Sequence, residues 1–327
     1  IRRPPRSTLF PSRRSSDLLE TIFGAIFPVV LSMLLGYFGA SSGMFNRDHA
    51  TAMNRMVLKF ALPLDLFVGI SRIDRQQILN SESFAAVIIG WMIVSFLLTY
   101  LLSRFVFKRT VSLATLQALA VGNPSVPFVG SAVLGFLFGG KSALAVSLAS
   151  MTINVVLIPV VFFLLAGDNQ ETMGGHGGWT EHLKQAFKQP VVIAPLIAFF
   201  WVLSGFPIPK LLNTSFIMLG KTTGGVAMFS TGVLLFLMKP VINKMVITSV
   251  MIRNIVAPLC AWGLALMVHL PSFYLREAVL TFAMPSASVI VILSSQIKKG
   301  EREAASTVFF STITAVFTMG ALIALTD

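Results

Sequence analysis

Charge is scarce in this chain. Of its 327 residues, 12% are Asp, Glu, Lys or Arg, against about 25% in an ordinary soluble domain. Water is therefore not its main solvent. Cysteine is nearly absent: Cys260 stands alone in an apolar run, which excludes a disulfide framework and a cysteine-based metal site and leaves a small packing residue as its plainest role. The four histidines lack ligand spacing, since His176 and His182 share a polar break while His49 and His269 lie at the ends of apolar runs. No metal site or other cofactor is expected. No acid pair, His-Glu zinc pattern or serine with an adjacent base is present, so an intramembrane enzyme would have no chemistry to use. A channel would show a filter sequence or a charged ring, and neither is found. A receptor built on a transporter fold is not separated from a transporter by sequence.

What is abundant is apolar surface. Hydrophobic residues make up 55% of the chain and mean hydropathy is +0.82. Apolar runs of about 20 residues, the length that spans a bilayer, follow one another from Thr21 to Asp327 with short polar breaks. The expectation is an all-α membrane protein of about ten transmembrane helices, in one membrane domain. The runs lie near 21–39, 51–70, 84–103, 112–138, 142–166, 190–206, 214–238, 244–269, 274–296 and 303–325. The longest polar break, 167–189, is glycine-rich and divides them five and five. It reads as a central loop between a first repeat, 19–166, and a second, 190–327.

Residues 1–18 stand apart. They hold five Arg, one Asp, three Pro and four Ser and do not begin with Met. Such a stretch buries too little apolar surface to pack. It resembles translated sequencing-adapter read-through, and is expected to be a disordered artefact standing where the native N-terminus is missing. Without it the formal charge falls from +12 to about +8, because five Arg and one Asp are removed. Basic loops on one side of a membrane explain the remainder, and no basic stripe interleaved with aromatics suggests nucleic acid.

Loop charge gives an orientation. Breaks after the second, fourth, sixth and eighth runs carry five basic residues: Arg72, Arg75, Lys141, Lys210 and Arg276. The other breaks carry eleven, among them Arg47, Arg109, Lys239 and Lys298. The more basic side is expected to be cytoplasmic, which puts both termini outside. The five arginines of 1–18 would oppose that arrangement if native.

Two runs contain matched interruptions. The fourth holds Asn123-Pro124-Ser125-Val126-Pro127, and the ninth holds Pro285-Ser286. A shift of 161 carries Pro124 to Pro285, Ser125 to Ser286, Gly139 to Gly300 and Ser150 to Ser311. The shift spans five runs, an odd number, so the second copy crosses in the opposite sense, the mark of an inverted repeat. Proline removes an amide donor and clashes with the preceding turn, so both helices should break in mid-membrane. Broken backbone at that depth survives only when buried in protein or lining a wet cavity, which points to one shared site. Half-helix N-termini there would favour an anion. Pro28, Pro63, Pro159, Pro195 and Pro258, one to a helix, read as simple kinks.

These motifs, with Ala61-Leu62-Pro63-Leu64 in the second run, resemble the auxin efflux carrier family over Ile22–Asp327. The resemblance implies a scaffold and a transport domain, helices four and nine crossing at their broken centres, and elevator-like transport of a small organic anion. It implies substrate contact for Asn123 and helix breaking for Pro124, Pro127 and Pro285. Val126-Pro127 departs from the plant pattern and favours a bacterial mono- or dicarboxylate permease of the malonate type, in the inner (plasma) membrane. Ser125 and Ser286 join Asn123 as candidate substrate residues.

Two charges inside the runs complete the candidate set. Asp65 is a carboxylate in the second run, placed to take a coupling proton or sodium ion. Arg253 in the eighth offers a planar fork for a substrate carboxylate, a partner for Asp65, or a structural ion pair. Asn154, Thr222, Thr223 and Ser288 either line the cavity or bond between helices. Glu277 and Glu303 are read as lying near helix starts. The bilayer is the expected environment and a homodimer one assembly to test.

Overall fold

The computed structural model describes residues 15–71, 82–138, 142–168, 190–204, 206 and 208–326. Among these the chain is all-helical, with no strand and a single isolated antiparallel bridge, Pro124 to Ser286. The first fourteen residues and positions 169–189 of the expected central loop lie outside the described residues. In order, the helices are α1 (Ser15–Ser41), α2 (Arg47–Met56), α3 (Leu62–Ser71), α4 (Glu82–Leu101), α5 (Val111–Gly122), α6 (Ser131–Phe138), α7 (Ala143–Met151) and α8 (Ile158–Asp168). They continue as α9 (Pro190–Ser204), α10 (Lys210–Gly220), α11 (Thr222–Met238), α12 (Lys244–Met251), α13 (Ala257–Met267), α14 (Ser272–Ala283), α15 (Val289–Ile297) and α16 (Glu301–Thr326).

Five helical runs among the described residues are long and apolar enough to cross a bilayer: Glu82–Val106, Leu144–Ala166, Lys210–Met238, Lys244–Met267 and Glu301–Thr326. Two of the other expected runs fall short because they are interrupted, α5 at Asn123 and α14 at Met284. Many large apolar side chains stay exposed, including Phe105, Leu211, Met218, Met267 and Phe317. In water such a surface would aggregate, whereas hydrocarbon solvates it.

Three of the lone prolines do more than bend a helix. Pro63, Pro159 and Pro258 each follow, by two residues, a widened π-turn: Val57–Ala61, Thr152–Leu157 and Ile252–Val256. The amide of Leu62 reaches back five residues to Val57, that of Ile158 to Ile153, and that of Ala257 to Ile252. A proline ring collides with the carbonyl four residues earlier and offers it no hydrogen, so a locally wider turn relieves both faults. The wide turns carry Lys59, Asn154, Arg253 and Asn254, polar residues in otherwise apolar helices.

Packing divides the helices into two groups. In one, α1 lies along α11, α2 packs on α11, and α3 packs on α9 and α10. In the other, α5 is set between α4 and α8, α13 packs on α14, and α16 on α12 and α14. The α1–α11 contact is backbone to backbone: a Cβ on Gly232 would lie 1.9 Å from the Met33 carbonyl oxygen, so only glycine fits there. Helices α5, α14 and α15 are the inner layer, buried continuously over 114–122, 277–283 and 289–295. The groups meet where α2 contacts α15, α3 contacts α7, and α1 and α11 contact α16. An ion pair from Arg47 of α2 to Glu301 of α16 also joins them, while Arg109 pairs with Glu303, which accepts from Asn243 Nδ2 at 2.8 Å.

Candidate functional site

Helix α5 begins under the side chain of Thr110, which accepts from the Leu113 amide, and stops where Asn123 turns extended at φ −111°, ψ 90°. Helix α14 stops where Met284 takes φ −62°, ψ 147°. The two extended segments run antiparallel past each other. The Ser125 amide donates to the Pro285 carbonyl at 2.9 Å, and the Ala287 amide donates to the Asn123 carbonyl at 3.2 Å. Each proline thus sits where its missing donor is not needed, and its neighbours make the pairing.

The crossing is braced from two sides. Ser286 Oγ donates to the Ala120 carbonyl at 2.7 Å, and the Ser286 amide donates to Ser311 Oγ at 3.0 Å. Ser311 Oγ donates in turn to Asn254 Oδ1 at 2.7 Å, and Asn254 Nδ2 donates to the Ser311 carbonyl at 2.7 Å. Arg253, fully buried, donates from Nε to the Met284 carbonyl at 2.9 Å, from one terminal nitrogen to Phe282 at 2.8 Å, and from the other to Val121. These carbonyls close α5 and α14, so one guanidinium satisfies the exposed acceptors at the negative ends of both half-helices.

A cavity of about 40 Å³ opens beside the crossing. Its polar lining is Asp65 of α3, Asn123, Asn154 on the second π-turn, Thr223 at the start of α11, and Ser288, the N-cap residue of α15. Asp65 and Thr223 belong to one helix group and the other three to the second. Thr223 Oγ is buried without a hydrogen-bond partner. The first amides of α15 and their partial positive charge are directed at the same space, which suits an anion. Each water needs at least 10–15 Å³ of such space, so the cavity holds roughly three waters and no organic anion as it stands. Its two walls must separate to admit one. The Asp65 wall is itself tightly packed within its own group: a Cβ on Gly220, where α10 ends, would lie 2.9 Å from the Asp65 Cα.

Of the residues singled out in the sequence, Asn123 and Asp65 line this one cavity, and Asn154, Thr223 and Ser288 line it with them. Pro124, Ser125, Pro285 and Ser286 form the crossing itself, and Ser125 Oγ is buried there without a partner. Pro127 falls in the wide turn Val126–Gly130 that follows. Arg253 meets the crossing through backbone carbonyls. One buried polar residue at the crossing escaped the sequence analysis. Asn254 is buried beside Arg253 as the brace on Ser311, and a polar pair inside an apolar run was the available signal. Glu277, read as lying near a helix start, is fully buried, with neither carboxylate oxygen hydrogen-bonded.

Residues 21–175 and 179–323 match the family described as Membrane transport protein. The uncharacterized transporter YfdV of Escherichia coli is 32% identical over 284 residues, covering 85% of this chain and 89% of its own. An uncharacterized transporter of Methanocaldococcus jannaschii is 26% identical over 295 residues, covering 87% and 92%. A Rhizobium meliloti protein named "Putative malonate transporter" is 22% identical over 314 residues, covering 93% and 96%. With its apolar helices and buried helix crossing, this chain is a multi-pass membrane protein and belongs to the Membrane transport protein family, the auxin efflux carrier type of transporter.

Proposed function

We propose that this chain is a secondary transporter that moves a small organic anion, a mono- or dicarboxylate, through the cavity beside the helix crossing. The observation that carries this reading is that Asn123, Ser288 and Asp65 meet at one small cavity whose walls belong to two separately packed helix groups. In this reading the chain crosses the membrane ten times as two inverted five-helix repeats, with the more basic side cytoplasmic and both termini outside. The α1–α3 and α9–α11 group is the scaffold. The group holding the crossing carries the cargo past it in an elevator-like movement.

The roles follow from the chemistry of each group. Asn123 offers an amide to the cargo carboxylate, and the N-terminus of α15 offers partial positive charge. Uptake of a proton or sodium ion by Asp65 would lower its repulsion of a carboxylate cargo in a low-dielectric cavity, and that change is what would couple the two. Arg253 acts through the backbone, holding the ends of α5 and α14 where Asn123 and Ser288 can share one ligand. The Rhizobium relative's name makes malonate the first cargo to try.

The test is uptake of labelled malonate, pyruvate and indole acetate into proteoliposomes, with and without imposed proton and sodium gradients. Asn123→Ala should abolish flux while expression and thermal stability hold. Undiminished flux in that variant would remove the crossing cavity from the transport path.

A further inference from the structure

The roomiest cavity among those described is elsewhere. It measures about 340 Å³ and opens between α2, with the π-turn that follows it, and the C-terminal end of α15. Its polar lining is Thr51, Asn54, Arg55, Lys59, Ser295, Gln296 and Lys298, and no acidic side chain takes part. The three basic side chains are exposed, so they stay hydrated. Asn54 is 2% exposed, yet neither its amide nitrogen nor its oxygen has a hydrogen-bond partner, and Ser295 Oγ is likewise buried without one. A buried amide with both ends unsatisfied is costly to keep in a packed wall, and a ligand with polar oxygens would satisfy it.

Charge decides the sign of that ligand. The C-terminus of α15 contributes roughly half a negative charge, which three full positive charges outweigh. Lys298 also stands in the left-handed region, at φ 54°, which ends α15 at the cavity. Helix α15 joins this cavity to the crossing: Ser288, at its start, lines the small cavity, Lys298, just past its end, lines the large one, and Ile292 lines both. Ten residues of helix rise put Ser288 and Lys298 about 15 Å apart.

We propose that this cavity is a second anion site, a staging site for a small carboxylate on the basic side of the membrane. Arg55, Lys59 and Lys298 gather the anion, and Asn54 and Ser295 hydrogen-bond it before it reaches the crossing. Onward movement rests on the transporter reading above, whereas binding at this site does not. The same oxygens could come from an anionic phospholipid headgroup, and the experiment separates the two sources.

The probe is malonate, with inorganic phosphate as a second anion, on the full chain in lipid nanodiscs. An environment-sensitive dye is attached through Thr51→Cys, at the cavity rim, in a Cys260→Ser background. A saturable response to malonate is expected, about tenfold weaker in the Lys59→Gln, Lys298→Gln pair and weakened by salt. It should survive Asn123→Ala, so that a failure of the crossing cavity and a failure of this site read differently. Asn54→Asp should remove the response by placing a like charge at the inner wall. Because the two lysines are exposed, the paired variant keeps the test open even where Asn54→Asp does not insert. No saturable response to either anion, equal affinity in the paired variant, or a response that follows the phosphatidylglycerol content of the disc rather than malonate would each overturn the proposal.

Discussion

The two helix breaks share a proline and a serine but are built differently. At the first, Asn123-Pro124-Ser125 leads into the wide turn Val126–Gly130, and the Asn123 side chain faces the cavity. At the second, Met284-Pro285-Ser286 resumes directly as the regular helix α15, and Ser286 is tied to Ser311 and through it to Asn254. The first break presents a side chain; the second presents a helix end on a rigid mount. In the proposed inverted repeat, the two copies keep the interruption and divide the work of facing the proposed ligand.

The contrast can be broken at several points. Arg253 serves both breaks, so Arg253→Leu should do the most damage, leaving three buried carbonyls unpaired. A loss on the order of 5 kcal/mol is expected, seen as failure to recover a monodisperse peak in size-exclusion chromatography. Recovery of a stable, transporting Arg253→Leu protein would show that the breaks hold themselves. Ser311→Ala touches the second break alone and orphans the Ser286 amide and Asn254 Oδ1. It should lower stability by about 2–3 kcal/mol in a detergent melt, and an unchanged melt would deny the brace.

Gly220→Ala tests the wall opposite both breaks. The new methyl must push α3 away at Asp65, which should cost about 1–2 kcal/mol. Flux should fall about tenfold while binding at the large cavity is unaffected. Arg47→Gln is the mildest: its pair with Glu301 is half exposed on the arginine side, and such pairs contribute under about 1 kcal/mol. Its melt should barely move, and a large drop would mean that this contact, rather than the packing of α1 and α11 on α16, holds the two helix groups together.

Apolar run lengths, the charge asymmetry of the loops and the repeated Pro-Ser were readable without coordinates, because each follows from local chemistry: hydrocarbon length, loop basicity and the missing amide hydrogen of proline. Membrane residence, the all-helical class and the two interruptions were determined at that level. Asp65 was found by the same logic, as a charge in an apolar run, and Asn123 through the resemblance its motif carries. Tertiary structure alone decided which polar groups meet. Asp65 and Asn123 stand far apart in the chain, and only the packing of α3 against the crossing brings them to one cavity. Only packing directs Arg253 to three carbonyls, since a guanidinium inside an apolar run is equally suited to a carboxylate until its neighbours are known. Asn54 was passed over, and the burial of Glu277 was not foreseen, because burial is a property of the surrounding helices and leaves no local mark on the sequence.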